Sequence, residues 1–191
     1  MATRPRVLLD VDGPIADFMT PALDAIHRVT GRRFKAEEHT SGWDLFAGLG
    51  LSSDEIDAVL LSMQTPGLCL GIPTVDGARE GVEELRSFAD VWAVTSPFGG
   101  EHWMHERDAW LVKHMGFKKK DVLHVRAESK HGVFGDILVE DKIDTLQSWR
   151  MAWPDSHPVL FELSYNSNHG WDGLSVSGWG ALVLKARALL T

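Results

Sequence analysis

The sequence predicts an α/β protein: a Rossmann-like parallel sheet with helices on both faces and a small helical cap inserted after the first strand. Three observations point to it. Short apolar runs alternate with helical periods along most of the chain, and that alternation means a parallel sheet covered on both faces. Residues 17–73 break the pattern: they read as helix and loop only, too much chain for one crossover. The predicted strands end in acids and hydroxyls, at the edge where an open parallel sheet keeps its ligand crevice. The chain therefore divides into a core of residues 1–16 and 74–191 and a cap of residues 17–73.

Each element has its own signal. "RVLLDV" is a short apolar run that reads as a buried strand, broken by Gly13-Pro14. Ile15, Phe18, Met19, Leu23, Ile26 and Val29 then recur at helical spacing up to Gly31, a C-terminal signal. "SSDEIDAVLLSM" opens with Ser52 and carries Glu55 three places on, a capping box. Its apolar face is Ile56, Val59, Leu60 and Met63, and Pro66 and Gly67 end it. "GAREGVEELRSF" is a helix with Val82 and Leu85 inward. "DVWAVTS" is a second buried strand, stopped by Pro97, and "EHWMHERDAWLVKHMG" a long helix closed by Gly116. "DVLHV" and "DILVE" are the third and fourth strands. A helix through Ile143, Leu146 and Trp149, a fifth strand "PVLFEL" and a closing helix "GWGALVLKARALL" complete the chain.

Composition excludes several classes of function. With 191 residues the chain can bury a sizeable core. A formal net charge of -8 argues against a nucleic-acid binder, which needs a basic face. Lys118 to Lys120 read as a helix-end charge cluster, and the nine histidines lack metal-ligand spacing with any cysteine. The lone cysteine, Cys69, excludes an internal disulfide and fits a reducing compartment. No apolar run approaches the ~20 residues of a membrane span, and the first residues lack the apolar stretch of a secretory signal. The expectation is a cytoplasmic protein without a membrane or nucleic-acid partner, with monomer and homodimer both open.

The strand ends carry the chemistry. The first predicted strand ends in Asp10 and Asp12, the second in Thr95 and Ser96, the fourth in Glu140 and Asp141. Lys130 lies in the loop before the fourth. Carboxylates a few ångströms apart repel and raise each other's pKa. A cation lets them coexist, and hard oxygen ligands with room left for water and phosphate suit Mg²⁺.

These residues carry a resemblance. "DVDGPIADF", "VTSP", a lone Lys130 and "LVED" look like the four motifs of the haloacid dehalogenase superfamily. More narrowly, the chain resembles the cytosolic 5'(3')-deoxyribonucleotidase family. "HERDAWLVKHMG" is similar to that family's Glu-Lys-x-x-Trp-Val helix, with Arg107 in place of Lys, and "VLFELSYN" to its closing strand and Asn. The resemblance spans nearly the whole chain and is weakest in the cap. It implies a Mg²⁺-dependent phosphatase of a small phosphate ester, a nucleoside monophosphate and by preference a deoxyribonucleotide. Asp10 would be the nucleophile and Asp12 the general acid and base. The metal would be held by Asp10, the backbone carbonyl of Asp12 and Glu140, with Asp141 positioning its water or Lys130. Thr95, the Ser96 amide and Lys130 would hold the phosphoryl group, and Arg126 would stand for a family arginine nearer its lysine.

Departures and alternatives accompany these assignments. Glu140 stands where the family has Asp, and Pro14 follows "DG" in place of Val or Thr. "GDILVED" also parses with Asp136 and Asp141 as the acids; the parse with Glu140 and Asp141 is preferred, because Asp136 begins the strand. Phe18 reads equally as helix core and as the ring the family places against the base. Trp43 and Phe46 read as cap core or as base-stacking residues, with core the safer reading. Two further functions stay open: hydrolysis of another phosphate ester, since the cap decides substrate, and a non-catalytic nucleotide-binding module, against which intact Asp10 and Asp12 speak.

Overall fold

The computed structural model describes residues 4–36, 45–46, 48–166 and 170–190. Among them, six strands form one all-parallel sheet in the order β3-β2-β1-β4-β5-β6. The strands are β1 (Arg6–Leu9), β2 (Asp90–Thr95), β3 (Val122–His124), β4 (Ile137–Glu140), β5 (His157–Phe161) and β6 (Leu174–Val176). The helices are α1 (Met19–Thr30), α2 (Ser53–Met63), α3 (Ala78–Phe88), α4 (Trp103–Met115), α5 (Ile143–Ala152) and α6 (Trp179–Leu190).

Side chains alternate through the sheet, as a period of two requires. Val7 and Leu9 of β1, Ile137 and Val139 of β4, and Val159 and Phe161 of β5 join one core with residues of α3, α4 and α6. Leu8, Leu138 and Leu160 join the opposite one with Leu146 and Trp149 of α5. A third cluster holds Ala22, Ala25 and Ile26 of α1 against Val59 and Met63 of α2. Phe18, Leu68 and Phe98 pack on both the α1–α2 cluster and the larger sheet core, so the two are continuous in apolar contact.

Most elements fall where the sequence places them. The capping box of α2 forms in both directions, Ser52 to the Glu55 amide and Glu55 to the Ser52 amide. Gly31 and Gly116 end α1 and α4 in the left-handed conformation. Two differences matter. The helix expected from Ile15 begins at Met19, because residues 11–16 form a tight loop instead: the Ile15 and Ala16 amides both donate to the Val11 carbonyl, at 3.0 and 2.7 Å. Ile15 is thereby buried in the sheet core. The sixth strand, "LSV", was not expected; three residues are too few to show a period, and only pairing with β5 makes them a strand.

The insertion that carries α1 and α2 leaves and rejoins the sheet at one place. The Asp17 amide donates to Pro73 O at 2.9 Å, the Val75 amide to Ile15 O at 2.8 Å, and Ala16 and Thr74 form an antiparallel bridge. Both ends of the helical insertion are thus pinned next to the loop that follows β1.

Candidate active site

The carboxyl ends of β1, β2 and β4 are adjacent because β1 lies between the other two. That adjacency brings together residues far apart in sequence. Asp10 follows β1 directly, and its amide donates to Val139 O at 2.9 Å, tying it to β4. The Lys130 ammonium, buried in the 3-10 stretch Ala127–Gly132, donates to Asp10 Oδ1 at 2.6 Å and to Glu140 Oε2 at 2.8 Å. Ligand atoms of Asp10, Glu140 and Asp141 all lie within 4.8 Å of one another.

The electrostatics follow from burial. Loss of water pushes the Asp10 carboxyl up to about 7; the Glu140 charge adds to this and Lys130 opposes it. Burial, and then the Asp10 charge, push Asp141 up to about 6, with the Tyr165 hydrogen bond opposing. Glu140 is raised by burial too, with Lys130 opposing. Burial disfavours the Lys130 ammonium, but its two carboxylate partners outweigh that and hold it charged. Three acids thus share one ammonium, a set that gains from a further cation.

Asp12 has a separate partner. The Arg107 guanidinium, itself fully buried on α4, pairs with Asp12 Oδ1 and lies between the Trp103 and Trp110 rings, 5.3 and 5.6 Å from their centroids. Burial raises the Asp12 carboxyl and Arg107 lowers it. Gly13 follows with φ +102°, and a Cβ there would sit 2.6 Å from Asp141 Oδ2. The backbone of the Asp12–Gly13 turn therefore packs directly on Asp141, and only glycine fits.

These groups form the floor of a cavity of about 760 Å³. Asp10, Asp12, Ser96, Lys130, Glu140 and Asp141 line it, and Phe18 and Phe46 stand on its wall. Thr95 lies just behind, buried. The Thr95 and Ser96 hydroxyls and Asp141 Oδ1 are buried without a hydrogen-bond partner, although buried polar groups are normally paired. Two hydroxyls and a lysine at this spot make a ready cradle for an anionic oxygen, and the cluster of Asp10, Glu140 and Asp141, with one Asp141 oxygen unpartnered, fits a small divalent cation.

The structure places the remaining expected residues as follows. Arg126 is exposed at the entry to the 3-10 stretch and is not among the residues that line the cavity, although Ala127 beside it is. Trp43 lies outside the described residues. Asp136 sits at the opposite end of β4, where its carboxylate accepts from the Arg6 amide at 2.6 Å. Phe18 packs with its ring centroid 5.3 Å from that of Phe98, the two rings tilted, and it also lines the cavity.

Other residues of the site were given no role in the sequence reading. Arg107 was visible only as a departure at one helix position; a cation spaced four after Trp103 and three before Trp110, on the buried face of a helix, was the signal. The Tyr165 hydroxyl donates to Asp141 Oδ2. Asn166, 3% exposed, donates to the Asp141 and Phe161 carbonyls, both at 2.9 Å.

Parallel sheet, insertion after the first strand and an acidic crevice at the strand ends are the architecture of the haloacid dehalogenase-like fold. Over its full length the chain is similar to a haloacid dehalogenase-like hydrolase from Burkholderia xenovorans LB400, with a TM-score of 0.64, 16% identity and complete coverage of both chains. It is also similar to a haloacid dehalogenase hydrolase of Bacillus subtilis solved with magnesium bound, at TM-score 0.59 and 15% identity, covering 97% of this chain and 100% of the other. The sequence goes further than the fold. Residues 4–189 match the family described as "5' nucleotidase, deoxy (Pyrimidine), cytosolic type C protein", and the chain belongs to that family. The human cytosolic-type 5'(3')-deoxyribonucleotidase is 30% identical over 177 residues, spanning 87% of this chain and 84% of that protein. The protein is accordingly an enzyme, a phosphoric monoester hydrolase of the 5'-nucleotidase type. Among the described residues no helix is long and apolar enough to cross a membrane.

Proposed function

We propose that this enzyme hydrolyses nucleoside monophosphates, deoxyribonucleotides by preference, with Mg²⁺ and through a phosphoryl group carried on Asp10. The observation that carries the reading is the buried floor, where Lys130 bridges Asp10 and Glu140 beside two unpartnered hydroxyls. Asp10, Glu140 and the Asp12 carbonyl would hold the cation, with Asp141 beside them. When bound, Mg²⁺ supplies positive charge that offsets phosphate oxygens and the acids together.

The chain's own groups account for the rest. Asp10, whose anion Lys130 favours against the effect of burial, attacks phosphorus and forms a mixed anhydride as the ester oxygen leaves. Asp12 gives that oxygen its proton and then takes one from the water that cleaves the anhydride. Both roles need a carboxyl poised between its states, which opposing burial and Arg107 support. Thr95, the Ser96 amide and Lys130 hold the equatorial oxygens. The insertion of residues 17–73 acts as a cap, setting Phe18 and Phe46 over the leaving group.

A nucleoside, with its flat apolar base, suits such a wall. The names of the relatives support the deoxyribonucleotide preference, and the cytosolic type of the human one, with a single unpaired cysteine here, a cytoplasmic location. The test is phosphate release from a panel of ribo- and deoxyribonucleoside monophosphates, sugar phosphates and an aryl phosphate, with Mg²⁺ or with EDTA. Release from nucleotides only with the metal is expected. Faster turnover of a sugar phosphate, or full activity in EDTA, overturns the reading.

A further inference from the structure

We infer that Tyr165 is a positioning residue for the metal site: its hydroxyl fixes the Asp141 carboxylate so that one oxygen is held by the protein and the other is left for the cation or its water. The inference rests on the proposed Mg²⁺ site and goes beyond it, because nothing in the reaction requires a tyrosine there.

The argument starts from what Asp141 touches. Oδ2 receives the Tyr165 hydroxyl, while Oδ1 is buried with no partner. The backbone of Asp141 is fixed as well, since Asn166 Nδ2 donates to its carbonyl at 2.9 Å and Asn166 Oδ1 accepts the Leu163 amide at 2.8 Å. A Cβ on Gly13 would come within 2.6 Å of Oδ2 and 3.0 Å of the Tyr165 hydroxyl, so the turn after β1 closes over this pair. With one oxygen bonded and covered, the carboxylate cannot turn freely, and the group keeps a defined place beside Asp10 and Glu140, with which it shares a ligand-atom cluster within 4.8 Å.

The burial makes the phenol matter. Tyr165 is 9% exposed and Asp141 3%. The Tyr165 hydroxyl is the donor to Oδ2, so its removal takes away the contact that orients this buried carboxylate. Hydrogen bonds to ligating carboxylates orient them, and loss of such partners typically weakens metal binding by roughly 10–100-fold. Tyr165 also belongs to the loop after β5 whose Leu163 and Ser164 line the cavity. Ser164 Oγ donates to Ala36 O at 3.0 Å, just beyond α1, so one short loop touches metal carboxylate, cavity wall and insertion.

Tyr165 is the chain's sole tyrosine, which gives a direct probe. Protein labelled with ¹³Cζ-tyrosine shows one such resonance, to be followed by NMR while Mg²⁺ is added. Calorimetry gives the Mg²⁺ affinity of wild type, Tyr165→Phe, Asp141→Asn and the double variant. The expected result is a resonance that moves with metal occupancy and an affinity roughly 10–100-fold weaker in Tyr165→Phe. In the Asp141→Asn background the same change should cost less than twofold, because the group it positions is already altered. Metal binding in wild type with an unmoved resonance, or Tyr165→Phe within twofold of wild type, overturns the inference and leaves the metal site standing. An equal loss in both backgrounds also overturns it, since packing alone then explains the loss. Absence of any Mg²⁺ binding by wild type brings down the metal reading itself, and the inference with it. Should Tyr165→Phe fail to fold, the wild-type resonance decides alone.

Discussion

The floor and the wall of the cavity are built on opposite principles. The floor comes from the ends of β1, β2 and β4 and is charged, buried and fixed by ion pairs; the Lys130 ammonium reaches two carboxylates within 2.8 Å. The wall is apolar and is shared between the sheet core and the insertion, with Phe18 packed on both. Charges at strand ends are held by backbone that the whole sheet determines. Rings on the wall are held by contact with neighbouring rings, such as Phe18 with Phe98 and Trp103. The floor is therefore suited to one chemistry on any monoester, and the wall to choosing which ester enters.

Substitution tests that division, beginning with the largest effect. Asp10→Asn should fold and yet lose essentially all turnover on every substrate, because an amide cannot form the anhydride. Steady-state rates on a nucleotide and on an aryl phosphate check it, and substantial turnover of either by pure variant would rule out the covalent step. Wild type should also bind fluoroberyllate as a mimic of the phosphoryl group.

Next, Glu140→Gln should weaken Mg²⁺ binding at least tenfold while Asp136→Asn leaves it unchanged, since Asp136 bonds the Arg6 amide at the far end of the strand. Calorimetry that reverses the two effects would put the metal carboxylate on the wrong residue.

Arg107→Met probes the other half of the floor. Breaking a buried pair costs about 3–5 kcal/mol, and the partly exposed Asp12 places this one at the low end, to be read from denaturant unfolding. The pH dependence has a definite sign. Arg107 lowers the Asp12 pKa, so its removal raises it. The protonated acid then persists to higher pH, and the alkaline limb of kcat/KM should shift upward. An unmoved limb would mean that Asp12 is not the group titrating there.

The smallest effect belongs to the wall. An aromatic side chain against a base is worth about 1–3 kcal/mol, so Phe18→Ala should raise KM for a nucleotide roughly tenfold. Hydrolysis of a small aryl phosphate should change much less. Equal losses on both substrates would show that Phe18 serves packing alone, and the floor–wall distinction would lose its sharpest support.

Two things are legible in the sequence: the succession of five of the six described strands with the six described helices, and the groups that end the strands. Local signals suffice for both: apolar runs of strand length, caps such as Ser52–Glu55, and glycines that stop helices at Gly31 and Gly116. Those signals also separated Asp136 from Glu140, because the position of a residue along a strand is a local fact. Tertiary structure alone decided which charge meets which. Arg107 and Asp12 are 95 residues apart and Tyr165 and Asp141 are 24 apart, and no periodicity records either pair. It also decided that Arg126 stays outside and that "LSV" becomes a strand. The physical reason is the same throughout: backbone preference acts over a few residues, whereas an ion pair, a cavity wall or an edge strand exists only after the sheet has brought distant segments together.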